Sequence, residues 1–185
     1  MSSSATRTPA GRTPAERTTV WFWVAAGIGT VHAAWSVYWA LGGTWMLASV
    51  GQWAVQAAAD PTPGARLALW GVAVVKLLAA WVPLLAHRGV LPLARLWRAL
   101  TWAGAAGLVL YGLANIGAST AVLAGWITPE VPVNTEAHLG HAVLWGPLFA
   151  LWGVALLLAQ LRTVPRRAAR TMTPAGAGVA RSTRG

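Results

Sequence analysis

The residue in this sequence best suited to chemistry is a lysine inside an apolar run. Residues 71–81 read GVAVVKLLAAW, in which Lys76 is the single charged position. A lysine at the centre of a membrane helix raises the free energy of insertion by roughly 2.5 to 3.5 kcal/mol, and ionisable residues at such positions are typically functional. Lys76 is therefore the first candidate for a functional site.

Three other polar residues inside apolar runs are candidates for the same site. Measured from the nearest flanking arginine at ~1.5 Å per residue, His32, Lys76 and Tyr111 lie at similar depths of ~18 to 22 Å. Asn115 follows Tyr111 by four residues, one helical turn, and so shares its face. We therefore predict an intramembrane polar site formed by His32, Lys76, Tyr111 and Asn115.

The chemistry of Lys76 depends on its partner, and none of the apolar runs contains an Asp or Glu. Three alternatives remain open: a neutral amine, a cation in a hydrated cavity held by the polar residues and tryptophan faces, or a site for an anionic ligand. A purely structural hydrogen bond, to a backbone carbonyl for example, is the competing interpretation for each polar residue.

Four apolar runs position these residues, and each is long enough to cross a membrane. They cover residues 20–41, 66–85, 97–118 and 142–161, about the 20 residues that a ~30 Å hydrocarbon core requires. A chain of 185 residues that is 56% hydrophobic and 10% charged has the composition of a membrane protein. We predict an all-α integral membrane four-helix bundle over residues 20–161.

The basic residues on the connections predict the orientation. Three Arg precede the first run, three lie in residues 87–98, six follow Leu161, and the other two connections have none. The positive-inside rule then predicts that both termini are cytoplasmic. The heavy use of Ala, Arg, Gly and Trp favours a bacterial cytoplasmic membrane. We expect residues 1–19 and 162–185 to be disordered, with the basic tail either attracted to anionic lipid or merely solubilising.

The connection at residues 42–64 carries Trp45 and Trp53 and is too polar to span. It predicts either a segment partly in the membrane interface, with a short helix, or a solvated loop. Pro147 is expected to kink the fourth run.

Small residues predict where the helices meet. A ridge in the first run comprises Ala25, Gly29 and Ala33, beside His32 and Ser36. One stripe of the third run, which we expect to face a common interior, comprises Gly104, Gly107, Tyr111 and Asn115. Two faces of the fourth run fit equally well: one with His138, His141, Trp145, Phe149 and Trp152, the other with Ala142, Gly146, Ala150 and Gly153.

Composition and motifs exclude several function classes. The chain has no cysteine, which excludes disulfides and thiolate metal sites. Its net charge is +10, but apart from Lys76 the basic residues lie outside the apolar runs or at their ends, so no nucleic-acid partner is predicted. No nucleophile elbow, phosphate loop or metalloprotease spacing occurs. This favours a protein without enzymatic activity and leaves the question of a reaction open.

No metal or cofactor is predicted. His138 and His141 have the spacing to contact a metal near Glu136, but two imidazoles at a helix end are more often interfacial. His32 and His141 differ in depth by ~9 Å, whereas two nitrogen ligands of one iron lie ~4 Å apart, which excludes a haem pair.

Four stretches carry a family resemblance: HAAWSVYWALGGTW (32–45), VVKLLAAW (74–81), VLYGLANIG (109–117) and GHAVLWGPLFALWGVALLLA (140–159). Together they resemble actinobacterial membrane proteins of the DUF3995 type, over about residues 20–161. These are small four-span proteins of unknown function, so the resemblance implies a fold and a membrane location but no reaction.

Two functions of different kinds follow as hypotheses. The first is a protein that binds or moves a small molecule, lipid or proton in a cavity around Lys76. The second is a structural or assembly subunit of a larger membrane complex, in which the small residues and tryptophans contact a protein partner.

Overall fold

The computed structural model describes residues 14–59, 62–130 and 132–163, and these are helical with connecting turns. The helices are α1 Pro14–Ala40, a 3-10 helix Leu47–Val50, α2 Gln52–Ala59, α3 Pro63–His87, α4 Ala94–Leu123, α5 Thr135–Gly140, a π-helical turn His141–Trp145 and α6 Gly146–Thr163.

Four stretches of helix are long and apolar enough to cross a membrane: Thr18–Ala40, Pro63–His87, Ala94–Leu123 and Thr135–Thr163. This confirms the predicted all-α fold with four spans and is the architecture of a multi-pass membrane protein. Residues 1–19 and 162–185 were expected to be disordered, but residues 14–19 belong to α1 and residues 162–163 to α6. The remaining terminal residues, 1–13 and 164–185, lie outside the described residues.

Helix α3 extends beyond its apolar run at both ends, where a polar cap and a glycine set its limits. The Thr62 hydroxyl accepts the amide of Ala65 at 3.2 Å, and Pro63 occupies the first turn of α3. At the other end Gly89 has φ 75°, and the amide of Val90 bonds the carbonyl of Leu85 at 3.1 Å. That is a Schellman cap, which requires the left-handed conformation that glycine adopts freely.

The four long helices alternate in direction, which gives the bundle two distinct ends. The end with Arg88, Arg98 and Arg162 is called the basic end, and the end with residues 41–62 and 124–134 the loop end. Helix α1 packs against α3 and α6, and α4 packs against α6, whereas contacts between α3 and α4 are sparse. The helices therefore follow the order α3, α1, α6, α4, with a gap between α3 and α4.

Both predicted faces of the fourth span pack against a neighbouring helix, because α6 lies between α1 and α4. Trp152 packs over Gly29 of α1, while Gly153 approaches α4 so closely that an added Cβ would lie 2.7 Å from the carbonyl oxygen of Ala105. Before Pro147 the helix takes a π turn, in which the Gly146 amide donates to the carbonyl of His141. Such widening accommodates a proline within a helix.

One prediction about α4 is wrong. Gly104 and Gly107 do not face a packed interior, because a Cβ added to either meets nothing within 4 Å. The buried residues of α4 are Thr101, Ala105, Gly112 and Ser119. Since α4 packs mainly against one helix, only one of its several small-residue faces is covered.

Residues 47–59 fold back over the loop end. They include the short helix α2, which one of the two alternatives for this connection predicted. The indole N–H of Trp145 donates to Oγ of Ser49 at 3.0 Å, and Nε2 of His141 lies 3.1 Å from the carbonyl oxygen of Val50. Leu47 and Ala54 join Trp39 and Trp145 in a small buried cluster. This segment therefore closes the loop end of the bundle.

Candidate functional site

The centre of the bundle contains a hydrogen-bonded group of three side chains, Lys76, His32 and Ser36, here called the lysine cluster. Helix α1 presents His32 and Ser36 one turn apart, and α3 presents Lys76 opposite them. Nζ of Lys76 donates to Oγ of Ser36 at 2.8 Å and lies 3.2 Å from Nδ1 of His32. His32 and Ser36 are 3% and 2% exposed, so α1 holds both acceptors inside the bundle.

Aromatic rings from the fourth span form one wall of the cluster. The His32 ring lies 4.0 Å from the ring of Phe149, with Trp145 at 5.6 Å and Trp152 at 6.3 Å between ring centroids. Nζ of Lys76 lies 5.9 Å from the centroid of Phe149, near the outer limit for attraction between a cation and a ring. The lysine is thus held by neutral groups on two sides.

Two buried nitrogens beside the cluster have no hydrogen-bond partner among the described residues: Nε2 of His32 and Nε1 of Trp152. A lysine ammonium can only donate, so opposite such a group Nδ1 of His32 accepts and Nε2 carries the ring hydrogen as a donor. The indole N–H of Trp152 is also a donor. Buried polar groups nearly always have a partner, so these two donors are suited to pair with a hydrogen-bond acceptor.

The indole of Trp152 lies against the seam between α1 and α3. A Cβ added to Gly29 would lie 2.7 Å from both Cε2 of Trp152 and Cβ of Ala80. Cε2 is bonded to Nε1, so the unpaired N–H lies at this seam, one turn from His32 along α1. Glycine at position 29 is therefore what allows the indole to reach the neighbourhood of the cluster.

The other two predicted site residues are placed differently. The Tyr111 ring meets Phe149 edge-on at 5.0 Å and is 51% exposed. The amide of Asn115 donates to the carbonyl of Tyr111 at 2.8 Å, within α4. The structure thus brings His32 and Lys76 into direct contact, connects Tyr111 to them through Phe149, and leaves Asn115 bonded to its own helix.

The predicted histidine pair near the loop end has other contacts. His141 lies against Val50, as described above, and His138 is partly buried in α5. No group of three or more His, Asp or Glu side chains within the described ranges is arranged to hold a metal ion.

A family model matches residues 29–156, which is more than half of the chain, and is described as a protein of unknown function, DUF3995. The chain belongs to the DUF3995 family. The segment that matches the DUF3995 model includes the whole lysine cluster together with Tyr111, Phe149 and Trp152. Comparison of the chain with curated proteins and with solved structures gives no match.

Sequence analysis did not assign Ser36, Phe149 or Trp152 to the site. The signal for Ser36 was present, since it follows His32 by four residues and shares its helix face. Phe149 and Trp152 belong to one of the two faces proposed for the fourth span. Choosing that face requires knowing which helix lies beside it.

Proposed function

We propose that this protein binds, within the membrane, a small molecule carrying an anionic or strongly hydrogen-bond-accepting group, and that Lys76 is the residue that contacts it. The observation that carries the proposal is an excess of buried donors around the lysine cluster. A ligand site in a protein typically pairs an apolar wall with a few placed polar groups, and this arrangement has both.

The donors can be counted. A lysine ammonium has three N–H groups, and Lys76 makes two hydrogen bonds among the described residues, to Ser36 and His32. His32 and Trp152 each add a buried N–H without a partner. Three donors thus lack acceptors in one region, and an acceptor-bearing ligand would complement them.

Charge favours the same conclusion. The chain contains four acidic residues, Glu16, Asp60, Glu130 and Glu136, and residues 61–129, which include all of α3 and α4, contain none. The contacts of Lys76 in the lysine cluster are neutral groups. A buried cation without a paired charge is costly, so an anionic ligand would stabilise the folded protein.

We further propose that the protein lies in a bacterial cytoplasmic membrane with both termini in the cytoplasm. The distribution of arginine supports this orientation, because the connections at the basic end carry the arginines and those at the loop end have none.

The test compares Lys76→Met with Arg66→Met. Both changes remove one positive charge from α3, but Arg66 is exposed near the loop end and does not touch the cluster. At least one small molecule that copurifies with the wild type should be lost with Lys76→Met and retained with Arg66→Met. Lys76→Met should still insert and fold, because it removes a charge from an apolar helix.

A second readout uses the fact that Lys76 is the only lysine in the chain. A protein labelled with ¹⁵N-lysine gives one side-chain signal, which should shift when the copurified molecule is added back to stripped protein. The proposal fails if both methionine variants retain the same molecules, or if the wild type yields only a stoichiometric protein partner and no ligand. The latter result would favour an assembly subunit.

A further inference from the structure

The gap between α3 and α4 forms an apolar groove of about 440 Å³. Its lining residues are Leu78, Ala79, Val82, Pro83, Trp97, Leu100, Thr101, Gly104, Gly107, Leu108, Tyr111 and Leu156. Gly104 and Gly107 leave space for it, because a Cβ at either position would meet nothing within 4 Å. Since α3 and α4 barely contact each other, the groove opens sideways, toward the hydrocarbon of a surrounding bilayer.

A second, smaller cavity of about 140 Å³ continues the groove at the basic end, and Pro83 and Thr101 line both. This cavity is here called the mouth. Its polar lining comprises His87, Arg98, Thr101, Gln160 and Thr163, and among the described residues no carboxylate lines it. An apolar groove is thus joined to a basic, hydrogen-bonding mouth.

The mouth is held in place by its neighbours. The Gln160 side chain donates to the carbonyl of Arg98 at 3.0 Å, which ties α6 to the first turns of α4. The His87 ring stacks on Phe22 with centroids 4.4 Å apart. These contacts fix the walls without using the Arg98 guanidinium.

Arg98 lines the mouth, whereas Arg88 and Arg162 do not. Arg88 lies over the ring of Trp23 at 4.8 Å, and Arg162 over Trp21 at 5.2 Å. Within the described part of the chain, no carboxylate lies at ion-pair distance from Arg98. Arg98 therefore lines the mouth without a carboxylate counter-ion among the described residues.

The dimensions fit one leaflet of a bilayer. Thr101 and Tyr111 are ten residues apart, which corresponds to ~15 Å of groove along α4. That is half of a ~30 Å hydrocarbon core, the depth that one acyl chain occupies. Arg98 lies one turn before Thr101, at the level where a lipid headgroup begins.

We propose that the groove and the mouth bind one anionic phospholipid, with an acyl chain between α3 and α4 and its phosphate at Arg98. The apolar lining complements the chain, and Arg98 with the hydroxyl and amide groups of the mouth complements the headgroup. None of the three residues of the lysine cluster lines the groove or the mouth. This site is therefore independent of the ligand proposed for Lys76.

The groove is tested with two glycine variants of α4, Gly104→Leu and Gly117→Leu. Both glycines have open space around an added Cβ, so both variants should fold, but only Gly104 lines the groove. The full chain, purified in detergent, receives an equal mixture of phosphatidylglycerol and phosphatidylcholine, and native mass spectrometry counts the lipids that remain bound. The wild type and Gly117→Leu should retain one lipid, mainly phosphatidylglycerol, and Gly104→Leu should retain none.

The mouth is tested with Arg98→Gln against Arg95→Gln. Arg95 lies one turn earlier, is exposed and does not line the mouth. Arg98→Gln should reduce the preference for phosphatidylglycerol about five-fold, the effect of one arginine near a lipid surface, while Arg95→Gln should leave it unchanged. Equal loss in both arginine variants, equal retention in both glycine variants, or equal binding of the two lipids by the wild type would overturn the proposal.

Discussion

Nζ of Lys76 lies 2.8 Å from Oγ of Ser36, so the single lysine of the chain is bonded to a hydroxyl rather than a carboxylate. A hydroxyl both accepts and donates, and in this pair it must accept. Ser36 therefore accepts a hydrogen bond from Lys76. Its contribution to the free energy of unfolding should disappear when that donor is removed.

Ser36→Ala should lower the free energy of unfolding by about 1 to 3 kcal/mol in the wild-type background, because it leaves a buried donor of Lys76 without its acceptor. In the Lys76→Met background the same change should have almost no effect. The measurement is reversible unfolding in mixed micelles, arranged as a double-mutant cycle. The control is Ser119→Ala, at a buried serine of α4. Its effect on the free energy of unfolding should be the same with and without Lys76. Equal losses from Ser36→Ala in both backgrounds would contradict the prediction.

Gly112→Ala should destabilise the protein, because an added Cβ would lie 2.6 Å from both the amide nitrogen of Ala150 and the carbonyl oxygen of Gly146. Those are backbone atoms of the fourth span, so α4 and α6 must separate, at a cost of about 1 to 3 kcal/mol. Gly107→Ala on the same helix is the matched control, since its Cβ would meet nothing within 4 Å. It should leave unfolding unchanged or raise its free energy by up to about 1 kcal/mol. If the two variants unfold alike, the close contact is not formed in solution.

Trp145→Phe should loosen the segment that closes the loop end. The change keeps an aromatic ring beside Trp39 but removes the N–H that donates to Ser49 at 3.0 Å. Loss of one such hydrogen bond should speed amide exchange in residues 47–58 by about three- to ten-fold, as measured by hydrogen exchange and mass spectrometry. Trp126→Phe, at a side chain that is 80% exposed, should leave this exchange unchanged. Unchanged exchange in Trp145→Phe would mean that the bond does not hold the segment.

The spans could be predicted from the sequence because membrane helices are defined by length and hydropathy, which are local properties. Lys76 was found for the same reason, since one charge in an apolar run needs no knowledge of neighbours. His32 was placed beside it by depth alone, and the structure brings the two into contact. Depth is also local, because it follows from the distance to a flanking arginine.

What the sequence left open depends on which helices are adjacent. Gly104 and Gly112 both fit a packing face, and only the position of α6 decides that Gly112 is buried and Gly104 is open. The mouth at Arg98 was not predicted either, because its walls come from α1, α3, α4 and α6 together. An arginine near the start of a span fits the positive-inside rule whether or not it lines a cavity.

The orientation proposed for the protein can be tested directly, because the chain has no cysteine and a single introduced thiol is therefore unique. Thr128→Cys places it on the connection after α4 at the loop end, and Val90→Cys on the connection between α3 and α4 at the basic end; both sites are exposed. In intact bacterial cells, a membrane-impermeant maleimide should label Thr128→Cys and should label Val90→Cys only after the membrane is permeabilised. The positive-inside rule gives this result, because Arg88, Arg95 and Arg98 flank the second site and the first lacks basic neighbours. Labelling of Val90→Cys in intact cells, with protection of Thr128→Cys, would reverse the orientation and place the mouth at Arg98 in the outer leaflet.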